Sequence, residues 1–327
     1  MNLRKLYYLM LIIPLFFFYT GCSDDTTDPP VTINEAEVMV EYLEANGNPV
    51  TTFAKMITAD KVNANILASA DQYIIDIRSA ADFATGHITG AVNVASTGVL
   101  VHYETNNLQD KANVVIVCYS GQTAGWVNSL LNMMGYTNSA DLKWGMCSWN
   151  SATAGSWKEP NLNNSRAAQF VQTATAKPEA GDLPTLETGE TEATDILRAR
   201  VEVVFAEGFA AAKVSSDGVY SALSSYHIAN YWSEDHYSGA CGHIDGAMQY
   251  SPKEAFTLAA DLKTLPTDKT VAVYCYTGQT SAHVAAYLRV LGYDAVSIVY
   301  GVNGMSYDNV PAAKFDAHYT YDYDLVQ

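Results

Sequence analysis

Asn113-Val114-Val115-Ile116-Val117-Cys118-Tyr119-Ser120-Gly121-Gln122-Thr123 is answered, 157 residues later, by Thr270-Val271-Ala272-Val273-Tyr274-Cys275-Tyr276-Thr277-Gly278-Gln279-Thr280. Each begins with five residues rich in apolar and β-branched side chains, which predicts a buried strand. A Cys ends the strand, and the loop it opens has Gly in fourth place and Thr in sixth. Beyond the loop, Trp126, Leu130, Leu131 and Met134 recur at helical spacing, as do Val284, Tyr287, Leu288 and Leu291 in the second stretch. Strand, tight loop and helix in succession predict an α/β fold with a largely parallel sheet. The carboxyl ends of such strands are where open α/β sheets bind ligands, and both Cys residues stand there.

Other segments repeat in the same order. Thr58-Ala59-Asp60 answers to Ser215-Ser216-Asp217, Gly86-His87-Ile88-Thr89-Gly90-Ala91 to Gly242-His243-Ile244-Asp245-Gly246-Ala247, and Met134-Gly135-Tyr136 to Leu291-Gly292-Tyr293. Duplication of one domain accounts for all of these. The expected organisation is a signal segment at 1–21, a polar tether at 22–34, a first domain at 35–150, a linker at 151–190 and a second domain at 191–327. Each domain opens with an extra helix, 34–46 and 191–207. The strand Tyr73-Ile74-Ile75-Asp76-Ile77 is a further buried one, and the Tyr-rich tail at 319–324 alternates as an edge strand does.

In both loops the backbone N–H groups can turn toward the sulfur, while the following helix presents its positive end to it. Both effects favour a thiolate or a bound anion and should lower the thiol pKa. The competing reading of each Cys is a small buried hydrophobe.

The combination of these motifs resembles the rhodanese family. It comprises Asp76-Ile77-Arg78, Phe83, the Gly-His-Ile turns, the two Cys loops, the Gly-Tyr pairs, and Gly301 followed by Gly304. The resemblance implies two five-stranded parallel sheets, each flanked by helices. It also implies sulfur transfer, with Cys118 and Cys275 attacking a sulfur donor to become persulfides. The anion cradles would be Tyr119, Ser120, Gly121, Gln122 and Thr123 in one copy, and Tyr276, Thr277, Gly278, Gln279 and Thr280 in the other. Thr123 and Thr280 would add hydroxyl donors, and no cofactor is implied.

Neither loop carries Lys or Arg, so the charge of a bound anion would fall to backbone N–H groups alone. A polysulfide or persulfide donor is then expected over the thiosulfate dianion. Ala124 and Ser281 stand where a cysteine phosphatase needs an Arg, which argues against a phosphatase. Asp76 and Arg78 are expected near the first loop mouth and would help bind substrate there. Alignment through Ile228 puts Asn230 and Trp232 in their places in the second copy, so Cys118 is expected to be the more reactive thiol. Rival to an enzyme is a binding module within an envelope protein complex.

Asp and Glu number 35 against 18 Lys and Arg, a formal net charge of −17 that repels nucleic-acid phosphate. Arg4 and Lys5 precede an apolar run at 6–19, and Thr20-Gly21-Cys22 then resembles a lipobox in which Cys22 is lipidated. The expected location is the cell envelope, exported and held to the outer membrane by a lipid anchor, with an envelope protein and a small sulfur-containing anion as partners. A plain membrane anchor is the alternative. His236, Cys241 and His243 have spacing that allows a metal, but a turn His beside a surface His is the preferred reading and no metal is assigned. His87 and His243 should hydrogen-bond their turns, and Cys147 reads as an ordinary buried Cys, with a resolving thiol for Cys118 as the alternative.

Overall fold

The computed structural model describes residues 33–52 and 55–327. The signal segment and the Cys22 site lie outside the described residues. The first repeat contributes strands β1 (Lys55–Ile57), β2 (Gln72–Asp76), β3 (Ala91–Asn93), β4 (Asn113–Val117) and β5 (Ser139–Leu142). A short strand β6 (Phe170–Val171) follows. The second repeat contributes β7 (Lys213–Val214), β8 (Tyr226–Asn230), β9 (His243–Ile244), β10 (Met248–Gln249), β11 (Thr270–Tyr274) and β12 (Ala295–Ile298).

Two five-stranded parallel sheets result, in the orders β1-β5-β4-β2-β3 and β7-β12-β11-β8-β10. Position by position these are one topology used twice. The Cys-bearing strand is central in each. Val114, Val115, Ile116 and Val117 are wholly buried, as a strand covered on both faces by helices requires. In register Asp76 lies beside Val117 and Asn230 beside Tyr274, so both strand ends abut the Cys that follows.

The helices α1 (Glu35–Ala45), α2 (Gln122–Met133), α3 (Ala193–Glu207) and α4 (Gln279–Val290) join the two repeats into one core. That core takes Met39 and Val40 from α1, Ile116 from β4, Val201 and Val204 from α3, and Val273 from β11. Arg198 on α3 is ion-paired with Glu104 of the first repeat. The Glu35 carboxylate accepts from the N–H and the hydroxyl of Thr188, both at 2.8 Å.

The segment 151–190 is anchored along its length. Its β6 pairs antiparallel with β9, and Arg166 N–H donates to Met305 O at 2.9 Å. The tail is not the expected edge strand. Tyr319 lies in a short 3-10 turn, and Tyr321 and Tyr323 stack on each other at 5.4 Å. The tail's N–H groups instead donate to Ser148 O and Trp149 O of the first repeat, and Val326 bridges His87. The alternation therefore serves the stacking of Tyr321 on Tyr323, whose ring packs tilted against Trp149, rather than a sheet edge. No helix among the described residues is long and apolar enough to cross a membrane.

Candidate active site

Each Cys leaves the end of a central strand and enters a loop whose Gly, at φ +85° in Gly121 and +77° in Gly278, caps the helix that follows. Only Gly fits here on two counts. The φ values are left-handed, and a Cβ would meet a glutamine oxygen of the opposite repeat at 2.3 Å in each case. Cys118 Sγ accepts from the N–H groups of Gly121 at 3.1 Å and Ala124 at 3.3 Å. Cys275 Sγ accepts from Ser281 N–H at 3.3 Å; its thiol donates to Ser281 Oγ at 3.7 Å and lies 3.9 Å from Thr277 Oγ1. A backbone donor from within the expected cradle, Gly121 N–H, meets the first sulfur, whereas the N–H that meets the second belongs to Ser281, one residue past 276–280, as that of Ala124 lies one past 119–123. The hydroxyls that meet the second sulfur belong to Thr277 and Ser281, whereas Thr123 and Thr280 line cavity walls.

The side chains of Gln122 and Gln279 leave their own loops and cross to the other repeat. Tyr300 N–H donates to Gln122 Oε1, and Trp144 N–H donates to Gln279 Oε1, each at 2.8 Å. The donors Trp144 and Tyr300 both sit at left-handed φ, +68° and +62°, so the same strained geometry recurs at both crossings. Ser120 is turned from the sulfur, its hydroxyl accepting from Gln122 Nε2 at 3.0 Å. Tyr119 and Tyr276 are pinned from outside the loops. Tyr119 Oη donates to Asp82 at 2.5 Å, while Tyr276 Oη bonds His236 Nδ1 at 2.5 Å and its ring stacks on Trp232.

Asp76 and Arg78 do not serve the first loop as expected. Arg78 forms a buried two-pronged pair with Asp76 and donates to Gly86 O at 2.8 Å. Its fork is committed to closing the Gly-His-Ile turn, a structural clamp. His87 Nδ1 bonds Phe83 O at 2.9 Å and His243 Nδ1 bonds Tyr237 O at 2.8 Å, both within their turns as expected. His243 Nε2 also bonds Thr173 O, and His227 Nε2 bonds Tyr250 Oη, so these ring nitrogens are engaged. No group of His, Cys, Asp and Glu among the described residues could hold a metal. Cys147 is buried with its thiol donating to Tyr119 O at 3.2 Å, and burial pushes its pKa up to about 11.

The two catalytic candidates have different surroundings, although both thiols are buried. Cys118 is part of the shared apolar core. Burial pushes its thiol pKa above the ordinary value, outweighing the N–H bonds, and Asp141 adds to the rise. The expected lowering therefore fails for Cys118. A cavity of about 380 Å³ opens at its loop, lined by Tyr119, Thr123, Phe209, Lys213 and Tyr300 among others, but not by Cys118 itself. Cys275, in contrast, lines a cavity of about 340 Å³ together with Met56, Tyr231, Pro252, Lys253, Tyr276 and Thr280. The charge at this site does not rest on backbone alone, because Lys253 supplies a cation from outside the loop.

Lys253, Met56 and Ser281 were not read as site residues from the sequence. Lys253 had a signal: it follows Pro252 shortly after a strand's carboxyl end, where the first repeat has Thr97. Met56 had none, since it comes from β1 of the other repeat.

The rhodanese-like domain model matches residues 58–152 and 227–304, more than half of the chain. Among solved structures, a thiosulfate sulfurtransferase of Pseudomonas aeruginosa is 16% identical, with 87% of this chain and 49% of that one covered, at a TM-score of 0.31. This chain thus spans about half of that protein. A rhodanese-related protein of Thermoplasma volcanium is 21% identical over 29% of this chain and 89% of its own, TM-score 0.26. A rhodanese-like domain protein of Staphylococcus aureus is 24% identical over 28% and 87%, TM-score 0.26. No curated protein matches the chain.

Proposed function

The chain belongs to the rhodanese-like family, and on that premise we propose that it is a sulfurtransferase or persulfide carrier whose working thiol is Cys275. One observation carries the reading: Cys275 lines an open cavity, whereas Cys118 is not in the lining of the cavity at its own loop. The thiolate attacks the outer sulfur of a polysulfide or persulfide. A new S–S bond forms, the donor's S–S bond breaks with its electron pair leaving on the shortened donor, and Cys275 becomes a persulfide. A second nucleophile then takes the outer sulfur and regenerates the thiolate. The Ser281 N–H and the hydroxyls of Ser281 and Thr277 surround the sulfur throughout and stabilise its negative charge.

The first repeat has a different role in this reading. Its Cys118 is a core residue, and its α2, Gln122 and Met56 brace and wall the second site. This is the binding-module reading applied to one half of the chain. The test is turnover of polysulfide with a thiol acceptor, read as released hydrogen sulfide. Cys275→Ser should abolish it and Cys118→Ser should leave it, whereas loss in Cys118→Ser with retention in Cys275→Ser refutes the assignment.

The envelope location is part of the same proposal and rests on the 1–22 segment. Labelling with a radioactive fatty acid should mark the wild type and not Cys22→Ser. An unlabelled wild type would end the lipoprotein reading, and with it the membrane and envelope partners.

A further inference from the structure

We infer that the Cys275 cavity selects an organic donor: a monoanion that carries its sulfane sulfur on an apolar group. The inference rests on the sulfurtransferase reading and names its substrate class. At about 340 Å³ the cavity falls in the range, about 300–1,000 Å³, of pockets that bury small organic ligands. An inorganic anion of a few atoms would leave most of it empty. Besides Cys275, Lys253 and Thr280, its lining is Met56, Pro252, Tyr231 and Tyr276, a mostly apolar set. Tyr231 is rigid, stacked on Phe256 at 5.4 Å, which in turn stacks on Tyr250.

Lys253 is the one cation in the lining, and it is ion-paired with no carboxylate among the described residues. Its backbone is held at φ +68°, a strained conformation for a residue with a side chain, while its N–H donates to Tyr231 Oη at 2.9 Å. The first repeat has no such device at the matching position, Thr97, which lies in an ordinary 3-10 turn. Strain at a cavity wall, fixed by a buried tyrosine and carrying the cavity's cation, is the arrangement expected of a residue positioned for a ligand. One positive charge matches one negative charge, and the apolar walls match an alkyl or aryl group. A thiosulfonate and an organic persulfide share this chemistry.

With a thiosulfonate the step balances without a further reagent. The Cys275 thiolate attacks the terminal sulfur, the Cys–S–S⁻ bond forms, and the donor S–S bond breaks with its pair leaving on the sulfinate. Two negative charges enter and two leave.

The experiment uses the full chain and three probes: benzenethiosulfonate, methanethiosulfonate and inorganic polysulfide. Persulfide at Cys275 is followed by mass spectrometry. The two thiosulfonates have the same reacting group and charge, so their comparison isolates the apolar contact. The KM for benzenethiosulfonate should lie about tenfold below that for methanethiosulfonate. Lys253→Met should raise the benzenethiosulfonate KM about fivefold, and Lys253→Arg should restore it. Equal KM values for the two thiosulfonates, or a Lys253→Met KM like that of the wild type, overturn the substrate class. So does a Lys253→Arg KM as high as that of Lys253→Met. If polysulfide sulfurates Cys275 and neither thiosulfonate does, the substrate class falls and the sulfurtransferase reading stands. If no probe sulfurates Cys275, both fall.

Discussion

Gln279→Ala should destabilise the whole protein, although the residue opens the helix of a candidate active-site loop. The Gln279 side chain is 1% exposed and its Oε1 is the acceptor for Trp144 N–H of the other repeat at 2.8 Å. Alanine leaves that buried N–H without an acceptor, at about 1–3 kcal/mol. One methylene group and an amide also vanish from a packed contact, adding about 1 kcal/mol or more through the cavity left. The expected loss is about 2–4 kcal/mol. Gln122→Ala should cost a similar amount, because Gln122 makes the mirror-image bond to Tyr300 N–H and is 3% exposed. Urea unfolding followed by tryptophan fluorescence measures both, since Trp144 itself sits at one crossing. Because the core is shared, the wild type should unfold in one transition, and the double variant should be the first to split it in two. A loss below about 0.5 kcal/mol for each single variant would show that water replaces the glutamine oxygen, and the brace between the loops would not be structural.

Under native conditions iodoacetamide should label Cys275 and spare Cys118 and Cys147; equal native labelling of Cys118 would refute its placement in the core. Arg78→Ala should lower stability by about 3–5 kcal/mol, by leaving the Asp76 carboxylate buried and unpaired, while the native labelling of Cys275 persists. A melting temperature like the wild type's would count against the clamp. The Cys147 thiol, raised to about 11 from an ordinary 9.0, is protonated in the folded state where the unfolded chain would ionise. Its contribution is therefore fully present below the unfolded value and is lost as pH rises from there through about 11. Cys147→Ala should flatten the alkaline decline in unfolding free energy by about 1–3 kcal/mol, and parallel wild-type and variant curves would refute this.

The fold was legible because its signals are local. The buried strand before each Cys, the glycine of each loop and the helical spacing after it are all contained in stretches of about twenty residues, and duplication printed them twice. The site was legible only in part, for reasons of distance. That a backbone N–H in the first turn of the helix meets each sulfur follows from strand, Gly and helix alone. That Cys118 is sealed in a core does not, because the core is completed by α1 and α3, far away in the chain. Arg78 illustrates the same limit. A strand-end Arg beside a Cys strand suggests a cation for the site, yet its nearby Asp76 and the Gly86 carbonyl take up its Nε and Nη2 donors. Met56 reaches the Cys275 cavity only because the repeats pack face to face through α2 and α4, and no spacing rule encodes that. The Tyr-rich tail shows how one pattern serves two structures: alternation suits a strand edge and a ladder of stacked rings equally.

The account turns on which sulfur atom receives the transferred sulfur. After brief exposure of the folded protein to inorganic polysulfide, trapping and peptide mapping should place one added sulfur on Cys275. The peptide containing Cys118 should be unmodified, and Cys275→Ser should gain no sulfur. Sulfur found on Cys118 in the native wild type, or on neither thiol, would contradict it.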